Sequence, residues 1–285
     1  MSEENPFPPM RVELGRPNIA RVYDWYLGGS TNWAIDRRFG QRVLRETPLV
    51  RAMAMSNRRF LHRVVRRLSK LGIDQFVDVG AGVPSPGNTH AIADEVDPGS
   101  RVVYIDHEPV AVAHLRMLLE EHGDLERHAV LQADLRDPGG LWKQVVGSGV
   151  LDPTRPIALL FLAVLHIRQE GPDGTDLTPQ ALHHYRELLP AGSYLAISHA
   201  TDDGIGEPTR EGVTKVKQMY DDWASKLTWR SKEETAALFG DFELLDPGMT
   251  WTSLWHPEDD APSSPKVDFT DPSDSGCWAG VGRKT

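Results

Sequence analysis

Five short apolar runs alternating with helical patterns most constrain what this chain of 285 residues can fold into. The runs fall at residues 75–80, 101–105, 129–133, 157–164 and 194–198, and the first four are spaced about 25–30 residues apart. The intervening residues 89–96, 110–120, 141–146 and 179–189 carry helix-type apolar spacing. Strand and helix in strict alternation predict parallel strands joined by helical crossovers, with helices on both faces of one sheet. Two further helices are expected at 213–226 and 232–239, and two further strands at 242–245 and 278–281. Between those strands, residues 259–275 are rich in Pro, Ser and Asp and read as a mobile loop.

Residues 1–17 are proline-rich and read as irregular. From 18 to 70 the pattern is helical, broken at Gly28-Gly29 and at Pro48. The chain therefore divides, on expectation, into an N-terminal helical extension at 1–70 and an α/β domain at 71–285. The stretch from Arg51 to Lys70 holds seven basic residues, with Phe60, Leu61, Val64, Val65 and Leu68 on the opposite stripe. It reads as an amphipathic helix with a solvated basic face. A formal net charge of −10 argues against a nucleic-acid partner. A single cysteine, Cys277, excludes a disulfide framework and a cysteine-based zinc site. No His, Asp and Glu cluster has metal-ligand spacing, so no metal is expected. The first ten residues lack the apolar run of a signal peptide, and no apolar stretch reaches membrane-spanning length. Cytoplasm is the expected location and no membrane partner is expected.

In an open parallel sheet, ligands sit beyond the carboxyl ends of the strands. After the first run comes Asp78-Val79-Gly80-Ala81-Gly82, whose glycines let backbone pass close to a ligand. After the second comes Asp106, followed by His107 and 24 residues beyond Gly82, a spacing suited to a carboxylate that accepts from ribose hydroxyls. After the third comes Asp134-Leu135, where a carboxylate can accept an adenine amino hydrogen and a leucine can pack on the ring. Singly each is a weak signal: Gly-x-Gly is often only a turn, and Asp106 before Pro109 fits a helix N-cap. In order at successive strand ends they point to a nucleoside cofactor. Gly82 is followed by Pro84 and Pro86, which does not suit the turn that cradles a pyrophosphate. S-adenosylmethionine, which has no phosphate, tolerates it better. No G-x-x-x-x-G-K-[ST] or G-x-S-x-G pattern occurs.

These three stretches resemble the first motifs of S-adenosylmethionine-dependent methyltransferases with a Rossmann-like fold. The similarity is stronger to a bacterial S-adenosyl methyltransferase subfamily with stretches like 18–29, 87–90, 101–106, 133–138 and 198–201. It runs from about residue 16 to the closing Gly280-Val281-Gly282-Arg283. The resemblance implies a seven-stranded, mostly parallel sheet with the last strand antiparallel. It implies cofactor contacts from Asp78, Gly80, Ala81 and Gly82, ribose contacts from Asp106, and adenine contacts from Asp134 and Leu135, with Asn88 and His107 nearby. Pro84 stands where many methyltransferases have a third glycine.

The N-terminal segment crowds Arg21, Tyr23, Asp24, Tyr26, Gly28, Gly29 and Asn32 around a glycine break. It is either a helical cap packed on the sheet or a lid over cofactor and substrate, with Arg21, Tyr23, Gly28 and Gly29 on the cofactor side. His166 and His199 follow the fourth and fifth runs and are the candidate catalytic residues, as general base or as orienting groups; either can instead finish a strand. His90 and His107 fit cofactor-side or helix-start contacts better. The resulting expectation is methyl transfer from S-adenosylmethionine to a small-molecule acceptor. A non-catalytic sensor or scaffold that binds the same cofactor is the alternative, and a dinucleotide oxidoreductase is the more distant rival. Oligomeric state has no sequence signal.

Overall fold

The structure, a computed structural model, describes residue 13 and residues 15–85, 87–262, 264 and 267–285. The irregular stretch expected at 1–17 lies mostly outside these residues, as does Pro86.

Helices α1 (Ile19–Tyr26), α2 (Ala34–Glu46) and α3 (Val50–Lys70) come first, and their breaks fall at Gly28-Gly29 and Pro48 as the residue pattern predicts. The turn after α1 is held by polar bonds. Asn32 Nδ2 donates to Asp24 Oδ2 at 2.7 Å and to the Gly29 carbonyl at 2.8 Å. A Cβ on Gly29 would lie 1.9 Å from Asp24 Oδ1, so only glycine fits over that carboxylate.

The rest alternates as expected: β1 (Gln75–Val79), α4 (Thr89–Asp94), β2 (Arg101–Asp106), α5 (Pro109–His122), β3 (His128–Gln132), α6 (Pro138–Gly147), β4 (Ala158–Leu162), α7 (Thr178–Leu188) and β5 (Tyr194–Ala200). Then come α8 (Thr209–Trp223), α9 (Lys232–Ala237), β6 (Glu243–Leu244), β7 (Thr250–Trp251) and β8 (Cys277–Arg283). The strand order is β3-β2-β1-β4-β5-β8-β6, with β7 also paired to β8. Strands β1 to β5 are parallel neighbours, and β8 runs antiparallel to β5 and β6. This is the Rossmann-like α/β sheet implied by the sequence, with one difference: eight strands among the described residues instead of seven. The extra strand is the two-residue β7, too short to leave a periodic signal.

Buried side chains fill both faces of the sheet. One cluster joins Leu141, Trp142, Leu182 and Tyr185 to Val77, Val103, Leu159 and Ile197. The other packs Phe60, Val64 and Leu68 of α3 onto Phe76, Val102, Tyr104 and Leu160. A third, smaller cluster holds α1, α2 and α8 together through Val22, Tyr26, Phe39, Val43, Val216 and Tyr220.

The basic face of α3 differs from its sequence reading. Arg63 and Arg66 are buried. Arg59 and Arg63 pair with Asp260, Arg67 and Lys70 with Asp259, and Arg66 with Glu95. The segment expected to be a mobile loop thus begins as an acidic clasp on α3. The cause is tertiary: the partners at Asp259 and Asp260 lie about 190–200 residues along the chain from α3.

Candidate active site

The loop after β1 is stitched to the end of β2. Gly80 and Ala81 donate their backbone N–H to the Ile105 carbonyl at 2.8 and 3.1 Å, and Gly82 donates to Asp106 Oδ2 at 2.8 Å. Gly80 has φ +73°, and a Cβ there would meet Val164 Cγ2 at 2.5 Å, so the residue is glycine for two reasons. The other oxygen of Asp106 accepts from the Glu108 N–H at 2.9 Å. Two backbone donors therefore fix this buried carboxylate, and its remaining lone pairs face a cavity of about 380 Å³.

Asp78, Gly80, Ala81, Gly82, Asp106, His107, Arg21 and Tyr23 all line this cavity. Asp78 accepts from the Thr89 hydroxyl at 2.6 Å, at the start of α4. Burial pushes its pKa up, against the opposing effects of Thr89 and Arg58. Arg21 is buried; its Nε donates to Asp36 Oδ2 at 2.8 Å, its Nη1 lies 3.9 Å from Glu108, and its Nη2 is enclosed without a partner. Its guanidinium also lies 3.8 Å over the Trp33 ring. Tyr23 donates to the Ala54 carbonyl and accepts from Asn57, and burial raises its pKa to about 12.

The remaining expected residues sit elsewhere. Asn88 Oδ1 accepts from Ser85 N–H and Arg58, bracing the loop behind the wall. Gly28 and Gly29 form the α1–α2 turn and do not line the cavity. Leu135 is part of the core. Asp134 is bound by its neighbour Arg136 through Nε and Nη2 at 3.0 and 2.6 Å. Burial alone would raise its pKa, but the bonds from Arg136 hold it below the usual range.

The two histidines separate. His199 is buried: its Nδ1 donates to the Ala200 carbonyl at 2.8 Å and its Nε2 accepts from Arg230 at 2.6 Å. Both ring nitrogens are spent, and burial, then His166 and Arg230, holds it neutral. His166 lines the cavity with its ring 6.0 Å from that of His199 and 6.4 Å from that of Trp229. Its Nδ1 is enclosed and unpartnered, so Nε2 is the ring nitrogen available to a ligand. Burial, with Arg230 behind it, lowers its pKa to about 4.

Sequence reasoning passed over four other features. Glu108 caps α5 through the Ala111 N–H and meets Arg21. Asn57 accepts from Ser198 Oγ at 2.5 Å, and Ser198 Oγ accepts from Ala163 N–H at 2.9 Å. Ala163, at the end of β4 and on the cavity wall, has φ +53°, a left-handed backbone rarely taken outside glycine. Tyr26 and Tyr220, on α1 and α8, bond hydroxyl to hydroxyl at 3.1 Å. Only Glu108, next to Asp106, carried a local signal; the others meet across long stretches of chain.

One group of metal-type atoms lies elsewhere among the described residues, at His256, Glu258 and Asp259. Its atoms are already engaged: His256 with Glu258 and the Asp246 carbonyl, Asp259 with Arg67 and Lys70.

The donor set fits one cofactor class better than the other. Asp78, Asp106 and Glu108 against Arg21 and Arg58 make this end acidic. The start of α4, where a pyrophosphate would sit, already faces the Asp78 carboxylate. That suits a cationic sulfonium nucleoside better than the pyrophosphate of a dinucleotide.

Comparison with known proteins agrees. Residues 6–285 match the sequence profile of a family described as S-adenosyl methyltransferase. The crystal structure of a candidate methyltransferase from Thermobifida fusca YX is 35% identical over 98% of both chains, with a TM-score of 0.82. That of a DUF574 family protein from Streptomyces avermitilis MA-4680 is 31% identical, with a TM-score of 0.84, over 96% of this chain and 100% of that one. An O-methyltransferase family protein from Burkholderia thailandensis shares the fold at 13% identity and a TM-score of 0.51, over 79% of this chain and 55% of that one. Among curated proteins no relative matches.

Proposed function

Because the chain belongs to the S-adenosyl methyltransferase family, we propose that the cavity binds S-adenosylmethionine at the β1–β2 end and a small-molecule acceptor at the β4–β5 end. The protein is an S-adenosylmethionine-dependent methyltransferase. When bound, the cofactor supplies an electrophilic methyl group on a sulfonium. Asp106 is assigned to the ribose hydroxyls, and the backbone of Gly80–Gly82 with Asp78 to the methionine portion. Arg21 places a cation on the N-terminal wall. His107, half exposed beside Asp106, is assigned to the adenine side. Asp134 and Leu135 stand one layer behind, as support.

Residues 1–70 are read as an extension whose first two helices form a lid. The Asp24–Asn32–Gly29 turn, the Arg21–Asp36 pair and the Tyr26–Tyr220 contact hold that lid over the strand ends and exclude water. His166 is assigned as the group that takes a proton from the acceptor at Nε2. His199, with both nitrogens engaged, is assigned to orienting Arg230. Among the described residues no helix is long and apolar enough to cross a membrane. With the acidic net charge, this supports a cytoplasmic enzyme with a small-molecule acceptor.

The observation that carries the reading is the Asp106 carboxylate, fixed by Gly82 and Glu108 and turned to the cavity. Calorimetry with S-adenosylmethionine, S-adenosylhomocysteine and NAD in parallel tests it. Binding of the first two and not the third is expected; heat from NAD alone would refute it.

A further inference from the structure

The cavity has two chemically different parts. The cofactor end carries the carboxylates Asp78, Asp106 and Glu108 and the guanidinium groups of Arg21 and Arg58. The wall contributed by residues 162–277 carries no Asp, Glu, Lys or Arg among the described residues. Its single ionisable imidazole is His166, and it is otherwise built from side chains such as Ile167, Val213, Val216, Leu227 and Trp229. Asp24, the one carboxylate of α1 on this cavity, is already engaged: its Oδ2 accepts from Asn32, its Oδ1 is enclosed, and burial raises its pKa.

Resting on the methyltransferase reading above, we infer that the acceptor is an uncharged aromatic compound methylated on a phenolic hydroxyl, seated between α1, α8 and the β4 end, with that hydroxyl at His166 Nε2. Three observations converge on this class. First, a carboxylate, phosphate or ammonium placed here would lose its hydration without gaining a counter-ion. Aliphatic amines arrive as ammonium ions and would meet only Asp24, whose carboxylate already accepts from Asn32. Second, the wall is broad, apolar and aromatic, the surface a flat ring covers best. Third, the Tyr26–Tyr220 pair has two hydroxyl hydrogens and one bond between them, so one hydrogen remains to donate to an oxygen on the ring.

The proton balance selects the hydroxyl. Its O–H bond breaks with the proton passing to His166 Nε2. The oxygen forms its bond to the methyl carbon as the carbon–sulfur bond breaks with its electron pair going to sulfur, leaving S-adenosylhomocysteine. The imidazolium then returns the proton to solvent. Burial and Arg230 keep His166 neutral at pH 7 and so able to accept; with so weak a base, a phenol, which gives up its proton far more readily than an aliphatic alcohol, is the hydroxyl of choice. The same positive field of Arg230 favours the charge that develops on the oxygen.

The test uses three ring-matched probes, 2-naphthol, 2-naphthoate and 2-naphthylmethylammonium. Each is titrated calorimetrically into the full protein loaded with S-adenosylhomocysteine. At least tenfold tighter binding of 2-naphthol than of either charged probe is expected, as is 2-methoxynaphthalene as product by mass spectrometry when S-adenosylmethionine is supplied. Val216→Glu should shift the preference at least tenfold towards the ammonium probe while S-adenosylhomocysteine affinity stays within twofold. The wild-type comparison stands by itself if that variant does not fold. No binding of 2-naphthol, or equal binding of a charged probe, with S-adenosylhomocysteine bound overturns the acceptor class and leaves the methyltransferase reading intact. Failure of S-adenosylhomocysteine to bind overturns both.

Discussion

The β1–β2 end and the β4–β5 end of the same cavity are built in opposite ways. At the first, neighbouring loops bond to each other through backbone amides: Gly80 and Ala81 to Ile105, Gly82 and Glu108 to Asp106. At the second, residues far apart in the chain meet through side chains. Ala163, Ser198, Asn57 and Tyr23 form one hydrogen-bonded line, and Tyr26 reaches Tyr220. The first end is charged and general, suited to holding a ligand common to many enzymes. The second is nearly free of charge and is assembled from residues far apart in sequence. A shared cofactor calls for a stereotyped backbone cradle, whereas an acceptor is selected by wall shape and polarity.

The contrast breaks most visibly at His166. His166→Gln should lower kcat about 10²- to 10⁴-fold, the usual worth of a general base, with S-adenosylhomocysteine affinity unchanged by calorimetry. A matching loss of cofactor affinity would show that the two ends are not separable. Asp106→Ala is the converse. It removes the ribose acceptor and strands two backbone donors, so cofactor affinity should fall about 100-fold, near 3 kcal/mol. Unchanged binding would remove Asp106 from its role.

Gly80→Ala sharpens the structural side. The left-handed backbone costs about 1–2 kcal/mol and the contact with Val164 adds to it. A loss of about 2–3 kcal/mol in urea unfolding is expected. Ser198→Ala, at the other end, removes a donor to Asn57 and an acceptor for Ala163. About 1–2 kcal/mol is expected, with kcat affected more than cofactor binding because the line ends at the β4 turn.

The smallest contrast is in acid. Both ends hold histidines kept neutral by desolvation: half-buried His62 and buried His90 behind the cofactor loop, lowered to about 3 and about 4, and half-buried His166, lowered to about 4. Desolvation is the largest cause in each. Their folded pKa values lie below the unfolded 6.5, so the unfolded chain takes up protons first. Stability is full above about pH 6.5 and declines as pH falls towards 4. Thermal unfolding followed from pH 8 to pH 4.5 should show a falling Tm, and His90→Gln should flatten the acid limb if it folds. A Tm independent of pH over that range would mean that the histidines are not kept neutral.

How much was legible follows from where each bond lies. The alternation of elements, the three helices before the sheet and the breaks at Gly28-Gly29 and Pro48 are local patterns, and each appears in the structure near its expected bounds. Asp78, Gly80–Gly82, Asp106 and His107 follow strand ends at fixed spacing, and parallel topology carries them to one edge of the sheet. Strand β7 escaped because two residues carry no period. The basic stripe of α3 read as solvated because Asp259 and Asp260 are almost 200 residues away.

By itself, then, the sequence determined the sheet, its crossovers and the carboxylate and glycine positions of the cofactor end, since all depend on short-range periodicity and on the direction of parallel strands. Only the tertiary structure decided which histidine is free. His199 lies within β5 and His166 lies in the loop beyond β4, and Arg230 bonds the first and leaves the second. It also decided that the cavity wall contributed by residues 162–277 carries no carboxylate, guanidinium group or amine among the described residues, because that wall gathers α8, the β4 end and the start of β8, and no local pattern encodes which side chains those elements will turn toward one another.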